Sequence, residues 1–530
     1  MPILPDLNSS CGSARTWLLK EARLALEINP SQMKAEPTSA SLMKPNRVLH
    51  LVLCCVACAV VEAATSPRSG AYVALMAGQR ARPLEGHFNN VPVLHSNQPE
   101  IVTGAGILVD TESGSAIAAE TKRPLSNAAF TFDGEFSVHM HHKYYPSDAA
   151  KLGGRRDRGV LTLALIASNP GSDPVTLRFE RGSLKNSFEA PYLPNKLMGV
   201  KPLGKRPWNT GPGDATAVQM LRDQLDRDLP SSVVIPPLSK TVVVSTVLPA
   251  RGIANGLLRG RSDGRFHLAV VAAENPRNDQ DLLAVLSAGR LAPGRIYLNR
   301  LDQINNGTVF SRVAGVALGD QYTANLCHDL NLGSLHVPLT STRRHTFGTR
   351  EIQVNPLASR MVDSSLNNVG TYGVKFDVTL NLTGEGPYQL VMSHPVVSGK
   401  KAFTAFRGSI RIETADQVRD VHVGLRSGES LALSDLQLLP DHIQPVRVSL
   451  VYPADATPGH LLSVVPVRQL AQLQQRKLDL QRTQDAIATS KNRQLQLPAQ
   501  PPAVEKPAAV NILRPAPLPA ILPLMDAYRF

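Results

Sequence analysis

From Arg82 to about Pro466, apolar and polar residues alternate in short runs broken by Pro, Gly, Asn and Asp. A period of two residues is the pattern of strands buried on one face. Over Glu135–His142 it places Phe136, Val138 and Met140 on one face and Ser137, His139 and His141 on the other. Asp133-Gly134, where both positions tolerate positive φ, predicts a hairpin turn from a strand over Ala128–Phe132. Two longer stretches share one plan. Gly159–Phe179 aligns Leu161, Leu163 and Leu165, turns at Asn169–Pro174 and continues through Val175, Leu177 and Phe179. Gly373–Met392 alternates Val374, Phe376, Val378, Leu380 and Leu382 with polar residues and turns at Gly384–Pro387. Each is followed by a further Pro-flanked strand, Val233–Leu248 and Val446–Tyr452. Frequent turns and half-buried strands predict a mainly β chain with two antiparallel β-sandwich, immunoglobulin-like domains over 83–300 and 308–466. The alternative is one large irregular β domain.

Helical spacing interrupts this pattern as short insertions. Asp214–Leu229 carries Val218, Leu221 and Leu225 on one face, with Asp214 as N-cap after Gly211-Pro212-Gly213. Gln280–Ala288 is a second helix, capped by Asn278 or Asp279 and ended by Gly289. Residues 467–497 predict a C-terminal helix whose thin apolar stripe is Leu473, Leu480 and Ile487, seven apart, with Lys477 and Gln484 in the other seam position. Residues 498–530 hold eight prolines and predict an extended, Pro-rich disordered tail.

At the other end, Lys44 and Arg47 precede the apolar run Val48–Val61, broken only by His50. Its 14 residues are too few to span a bilayer, which takes about 20. Val61-Glu62-Ala63 then reads as the end of a signal peptide over 43–63, cleaved between Ala63 and Ala64, with residues 1–42 an over-called start or a leader. The expectation is an exported protein of the periplasm, outer envelope or extracellular space, with no transmembrane span in the mature chain. A lipoprotein box around Cys58 is the weaker alternative. Four of the five cysteines precede Ala63, so cleavage leaves Cys327 without an intrachain partner.

The whole chain has a formal net charge of +13, and residues 1–63 hold six Lys or Arg and five Asp or Glu, leaving +12. For an exported protein this excess points to an anionic envelope polysaccharide or the outer-membrane surface as partner, and away from nucleic acid; plain solubility is the bland alternative. Lys196, Lys201, Lys205 and Arg206 gather before Asp214 and a helix start, where free N–H groups and the dipole favour anions. His139 and His141, two apart on one strand face, have the spacing that presents two imidazoles to a divalent metal, with His87, His95, Asp148 or His267 as possible third ligands. Hydrogen-bonded strand histidines are the competing reading. Cys327-His328-Asp329 cannot form a triad, because neighbours on a strand point apart. No catalytic residue is assigned and no cofactor is expected beyond that alternative metal.

Several motifs occur in a recognisable order: Arg82-Pro83-Leu84, Val91-Pro92-Val93-Leu94-His95-Ser96-Asn97, Gly211-Pro212-Gly213-Asp214, Gly315 within Val313–Val316, Thr346-Phe347-Gly348-Thr349 and Tyr452–Pro458. Over about 82–467 the chain resembles the cyanobacterial secreted proteins grouped as domain-of-unknown-function family 3370. The resemblance implies an exported envelope protein and brings no activity. The expected function is non-enzymatic binding or scaffolding of anionic envelope polymers. The alternatives are a metal-dependent hydrolase using His139 and His141, and an envelope assembly accessory protein with a protein partner on 467–530.

Overall fold

The structure is a computed structural model that describes residues 81–152, 159–192, 198–204, 210–308, 311–395, 402–454 and 456–495. The expected leader over 1–42, the expected signal peptide over 43–63 with its cleavage point between Ala63 and Ala64, and the expected Pro-rich tail over 498–530 lie outside the described residues. So do Lys196, Lys205 and Arg206.

The described chain is mainly β and contains four large sheets. Sheet 1 has nine strands, in the order Ser232–Ile235, Val175–Asn186, Ile253–Ser262, Glu135–Tyr144, Pro92–Ser96, Ala314–Leu318, Asn355–Arg360 and Asn367–Asn368, with Ile101–Val102 beside Glu135–Tyr144. Sheet 2 orders Lys240–Pro249, Val160–Ser168, His267–Glu274 and Gly106–Asp110. Between sheets 1 and 2 lies one core, in which Phe132, Phe136 and Phe266 meet Leu163, Leu165 and Val270. Sheet 3 orders His87–Phe88, Gln321–Asp329, Lys375–Thr383, Gln444–Val451, Thr404–Glu413, Val418–Arg426 and Gly199–Pro202. Sheet 4 orders Leu335–Leu339, His460–Pro466, Gly386–Ser393 and Ser430–Leu438. Sheets 3 and 4 enclose a second core around Phe376, Leu380, Leu390, Ile410 and Leu462.

The repeated plan is real and has a specific geometry. Strand Val160–Ser168 lies in sheet 2 and its successor Val175–Asn186 in sheet 1; Lys375–Thr383 lies in sheet 3 and Gly386–Ser393 in sheet 4. Each turn therefore carries the chain across a core instead of closing a hairpin. In both cases the later strand, Lys240–Pro249 or Gln444–Val451, returns to pair antiparallel with the first strand of its unit.

Three local expectations are corrected. Residues 128–132 form no strand; Phe132 bridges Phe266 while Glu135–Tyr144 pairs with Ile253–Ser262, although Gly134 does take positive φ at 76°. Long-range pairing outweighs the local turn signal. The first helix, α1, runs Pro212–Leu221, so Gly211 is its N-cap, not Asp214, and Asp223 at φ 52° ends it early. Sheet membership also ignores the 300–308 boundary: Ala314–Leu318 and Asn355–Arg360 extend sheet 1, whereas His87–Phe88 and Gly199–Pro202 complete sheet 3. Gly315, at φ 156°, permits part of that exchange. A Cβ there would stand 2.2 Å from the carbonyl oxygen of Ser359 on the paired strand.

The second helix, α2, runs Asp279–Ser287 as expected, with the Asn278 side chain accepting from the N–H of Asp281 and Gly289 at φ 62° after it. A one-turn helix, α3, follows at Leu301–Asn305. The C-terminal helix, α4, spans Val467–Leu495. Residues up to Leu473 belong to one compact unit and those from Gln474 to another. Among the described residues no helix is long and apolar enough to cross a membrane. Cys327 is disulfide-bonded, against the expectation of a lone thiol, and the other four cysteines all precede the described residues.

Candidate functional site

Strand Glu135–Tyr144 runs through the middle of sheet 1, and its period of two sends Phe136, Val138 and Met140 into the core shared with sheet 2. The opposite face, Ser137, His139 and His141, is not solvated: all three are buried. Parallel pairing sets His139 opposite His95, with their Nδ1 atoms 3.1 Å apart and the rings edge to face at 5.2 Å. That contact holds one proton, so one ring donates and the other accepts. Tyr372, from the second half of the chain, lies 6.5 Å from the His139 ring. His141 Nδ1 meets Asn255 Oδ1 at 3.0 Å, and Asn255 Nδ2 donates to Thr216 Oγ1 of α1 at 2.5 Å. His142, on the core side, donates from Nδ1 to the Pro99 carbonyl at 2.8 Å and accepts from Ser96 Oγ at 2.8 Å.

The same seam is pinned by Asp320, which accepts from Ser137 Oγ at 2.6 Å, Asn89 Nδ2 at 2.7 Å and the guanidinium of Arg259. Helix α1 fills the next part of it, where Ala217, Met220 and Leu221 pack between Leu257 of sheet 1 and Val451 of sheet 3. Polar groups with fixed partners therefore line a closed joint between the two sheet pairs. Burial lowers the His95 and His142 pKa values to about 3, and burial together with the neighbouring imidazoles holds His139 well below the usual histidine range. These rings are neutral at pH 7.

His139 and His141 share a face, as their spacing predicts, but each is bonded elsewhere, to His95 and Asn255. Of the possible third ligands, His95 alone joins this hydrogen-bonded group. His87 and Asp148 are exposed, and His267 Nδ1 donates to the Phe130 carbonyl at 2.9 Å. Among the described residues no group of three His, Cys, Asp or Glu is placed to hold a metal ion.

Asp214 is turned inward. Its carboxylate accepts from Ser409 Oγ at 2.9 and 3.2 Å and from His422 Nδ1 at 3.0 Å. The chain's own anion thus complements the first turn of α1. The serine bonds the carboxylate and not the imidazole, so this trio lacks the order of a nucleophilic triad. Lys201, the one described cation of that predicted loop site, is exposed on the edge strand Gly199–Pro202.

A different cationic surface appears between residues 342 and 350. The N–H of His345 donates to the Thr342 carbonyl at 2.9 Å, closing a turn whose central residues, Arg343 and Arg344, stand in solvent. A second turn follows, closed by Thr349 N–H on the Thr346 carbonyl at 2.9 Å, with Phe347 and Gly348 at positive φ and exposed Arg350 beyond it. The segment starting at Ala81 lies alongside, through Ala81 N–H to the Phe347 carbonyl, and brings exposed Arg82, whose Nη1 donates to the Cys327 carbonyl at 2.6 Å. Among the described residues none of these four arginines has a carboxylate partner. Only Arg343, Arg344 and His345 are neighbours in the chain; Arg82 lies more than 250 positions away from them.

The motifs named above all lie inside this β architecture, which ends at Pro466 where α4 begins. A family described as protein of unknown function (DUF3370) matches residues 79–466. The chain belongs to the DUF3370 family. The matched region covers both sheet pairs, the buried seam and the cationic turns, and it stops before α4. No curated protein matches the chain. The DUF3370 region thus carries its polar residues in two settings, a sealed joint and an open cationic edge.

Proposed function

We propose that this DUF3370 protein is an exported envelope protein that binds anionic polymer without catalysis, through the arginines of the 342–350 turns and Arg82. The observation that carries the reading is the contrast in charge pairing. Arg222, Arg259, Arg295, Arg312, Arg411 and Arg447 are each held by a carboxylate, whereas Arg343, Arg344 and Arg350 face solvent with none among the described residues. Guanidinium forks left open in this way suit the carboxylates, sulfates or phosphates of a polymer. The two sheet pairs, read as immunoglobulin-like sandwiches that exchange strands across 300–308, would act as the scaffold that presents them. The metal-dependent hydrolase reading draws no support from His139 and His141, whose first ring nitrogens are committed inside a closed joint.

The full chain is expected to be retained on immobilised dextran sulfate and polygalacturonate, with binding that weakens steeply between about 50 and 300 mM salt as screening sets in. Replacing Arg343, Arg344 and Arg350 together by Ala should weaken it about tenfold, since exposed ion pairs contribute roughly 0.2–1 kcal/mol each. Absence of retention at the lowest salt would overturn the reading.

Export makes a separate prediction. With cleavage after Ala63, the protein recovered from the envelope should begin at Ala64. Intact mass together with N-terminal sequencing checks this. A recovered chain that keeps residues before Ala63 argues against cleavage there.

A further inference from the structure

Helix α4 continues beyond the family region and offers a surface of its own. Its first turn is tied down, with Ser334 Oγ donating to Gln469 Oε1 at 2.8 Å. From Gln475 to Ser490 the described side chains are exposed. Leu480 and Ile487, at 50% and 54% exposure, continue the seven-residue spacing that starts at Leu473, so the three fall on one narrow arc. Isolated helices draw little stability from propensity alone, and an aliphatic stripe left in water has no stabilising contact on that side.

The charge of the helix selects among occupants. Val467–Leu495 holds six cations, Arg468, Arg476, Lys477, Arg482, Lys491 and Arg493, against two carboxylates, Asp479 and Asp485. Asp479 is engaged by Arg482 at 3.7 Å and by Gln475 at 2.9 Å. A second copy in parallel register would set one helix with six cations and two carboxylates against another of the same charge, and like charges repel. A negatively charged surface removes that conflict and welcomes the cations.

We propose that α4 is a basic amphipathic helix that lies on an anionic lipid surface, with the side that carries Leu480 and Ile487 toward the acyl chains and cations such as Arg476 and Arg482 toward the headgroups. This stands apart from the polymer reading, because it uses residues outside both the 342–350 turns and the matched family region.

The test is co-sedimentation of the full chain with phosphatidylglycerol-containing vesicles and with pure phosphatidylcholine vesicles, alongside light scattering of the free protein. The expected result is binding to the anionic vesicles only, reduced roughly tenfold or more in the double variant Leu480→Gln, Ile487→Gln, since two half-exposed aliphatic side chains are lost from the interface. The R343A, R344A, R350A variant should bind vesicles like the parent, which separates failure here from failure of the polymer reading. Circular dichroism of the double variant should keep the β signal of the parent. Binding that is unchanged in the double variant overturns the proposal, as does equal binding to neutral vesicles. A concentration-dependent dimer that the double variant abolishes overturns it as well, and would make a second copy the occupant.

Discussion

Between pH 6.5 and 4.5 the β unit is expected to lose most of its stability and to unfold with uptake of about five protons. Five buried imidazoles set this. Burial lowers the pKa of His95 and His142 to about 3 and that of His336 to about 4, and holds His139 and His460 well below their ordinary value. The folded pKa of each lies below the unfolded value of 6.5, so below pH 6.5 the unfolded chain binds protons that the folded chain refuses. The contribution is therefore intact above pH 6.5 and is lost as pH falls toward the folded values. Each such ring withdraws about 1.4 kcal/mol per pH unit once the unfolded state is protonated. Acting together over two units they reach the order of 10 kcal/mol, comparable with the roughly 5–15 kcal/mol of a whole domain. At lower pH Glu100 adds to the loss. Its burial raises its pKa, but Lys143 and Arg312 outweigh that and hold it near 2. Asp110, raised by burial, works the other way and offsets a small part. Urea unfolding at half-unit pH steps measures the slope. Replacing His139 by Gln should reduce the slope by about one proton, and a stability that stays flat from pH 7 to 5 would show that these rings are not excluded from solvent as described.

Asp363→Ala is expected to cost about 3–5 kcal/mol, the largest effect of any single substitution proposed for this chain. Arg295 and Asp363 are both 0% exposed. Arg295 Nη1 donates to the two carboxylate oxygens at 3.1 and 3.0 Å, and Nη2 donates to the carbonyls of Leu108 at 2.5 Å and Ile107 at 3.3 Å. Gln98 Nε2 reaches the same carboxylate at 3.2 Å. Removing the carboxylate strands a guanidinium in the interior, where desolvation is no longer offset by an opposite charge. Replacing both partners, Arg295→Met with Asp363→Leu, should recover most of the loss because no charge is then buried. Denaturant midpoints of the two variants decide the matter. A single variant within about 1 kcal/mol of the parent, or a double variant as unstable as the single, would refute this account.

Particular elements show how far the residue pattern reaches. Lys375–Thr383, with alternate buried aliphatics, and α2, with its Asn278 cap and Gly289 stop, were legible because burial on one face and capping act within a few residues. The two turns that carry the chain across the cores were legible as a repeat for the same reason. The polar face of Glu135–Tyr144 read either as metal-bearing or as carrying hydrogen-bonded histidines; the second holds, with His139 on His95 and His141 on Asn255, and the face is buried against Tyr372 and α1. Asp214 read as a cap and instead serves Ser409 and His422, about 200 positions away. Of the cationic edge, only the local pair Arg343-Arg344 was visible in the chain.

Length, charge, the period of two and the short-range caps thus determined by themselves that this is a basic, mainly β chain with a helical C-terminal extension. Which strands share a sheet, which polar face is sealed and which arginines lack a carboxylate were decided by the tertiary structure. The physical reason is that alternation reports only that a strand has two unlike faces. What covers each face depends on partners such as His95 for His139 and Asn355–Arg360 for Ala314–Leu318, which only the closed fold brings into contact.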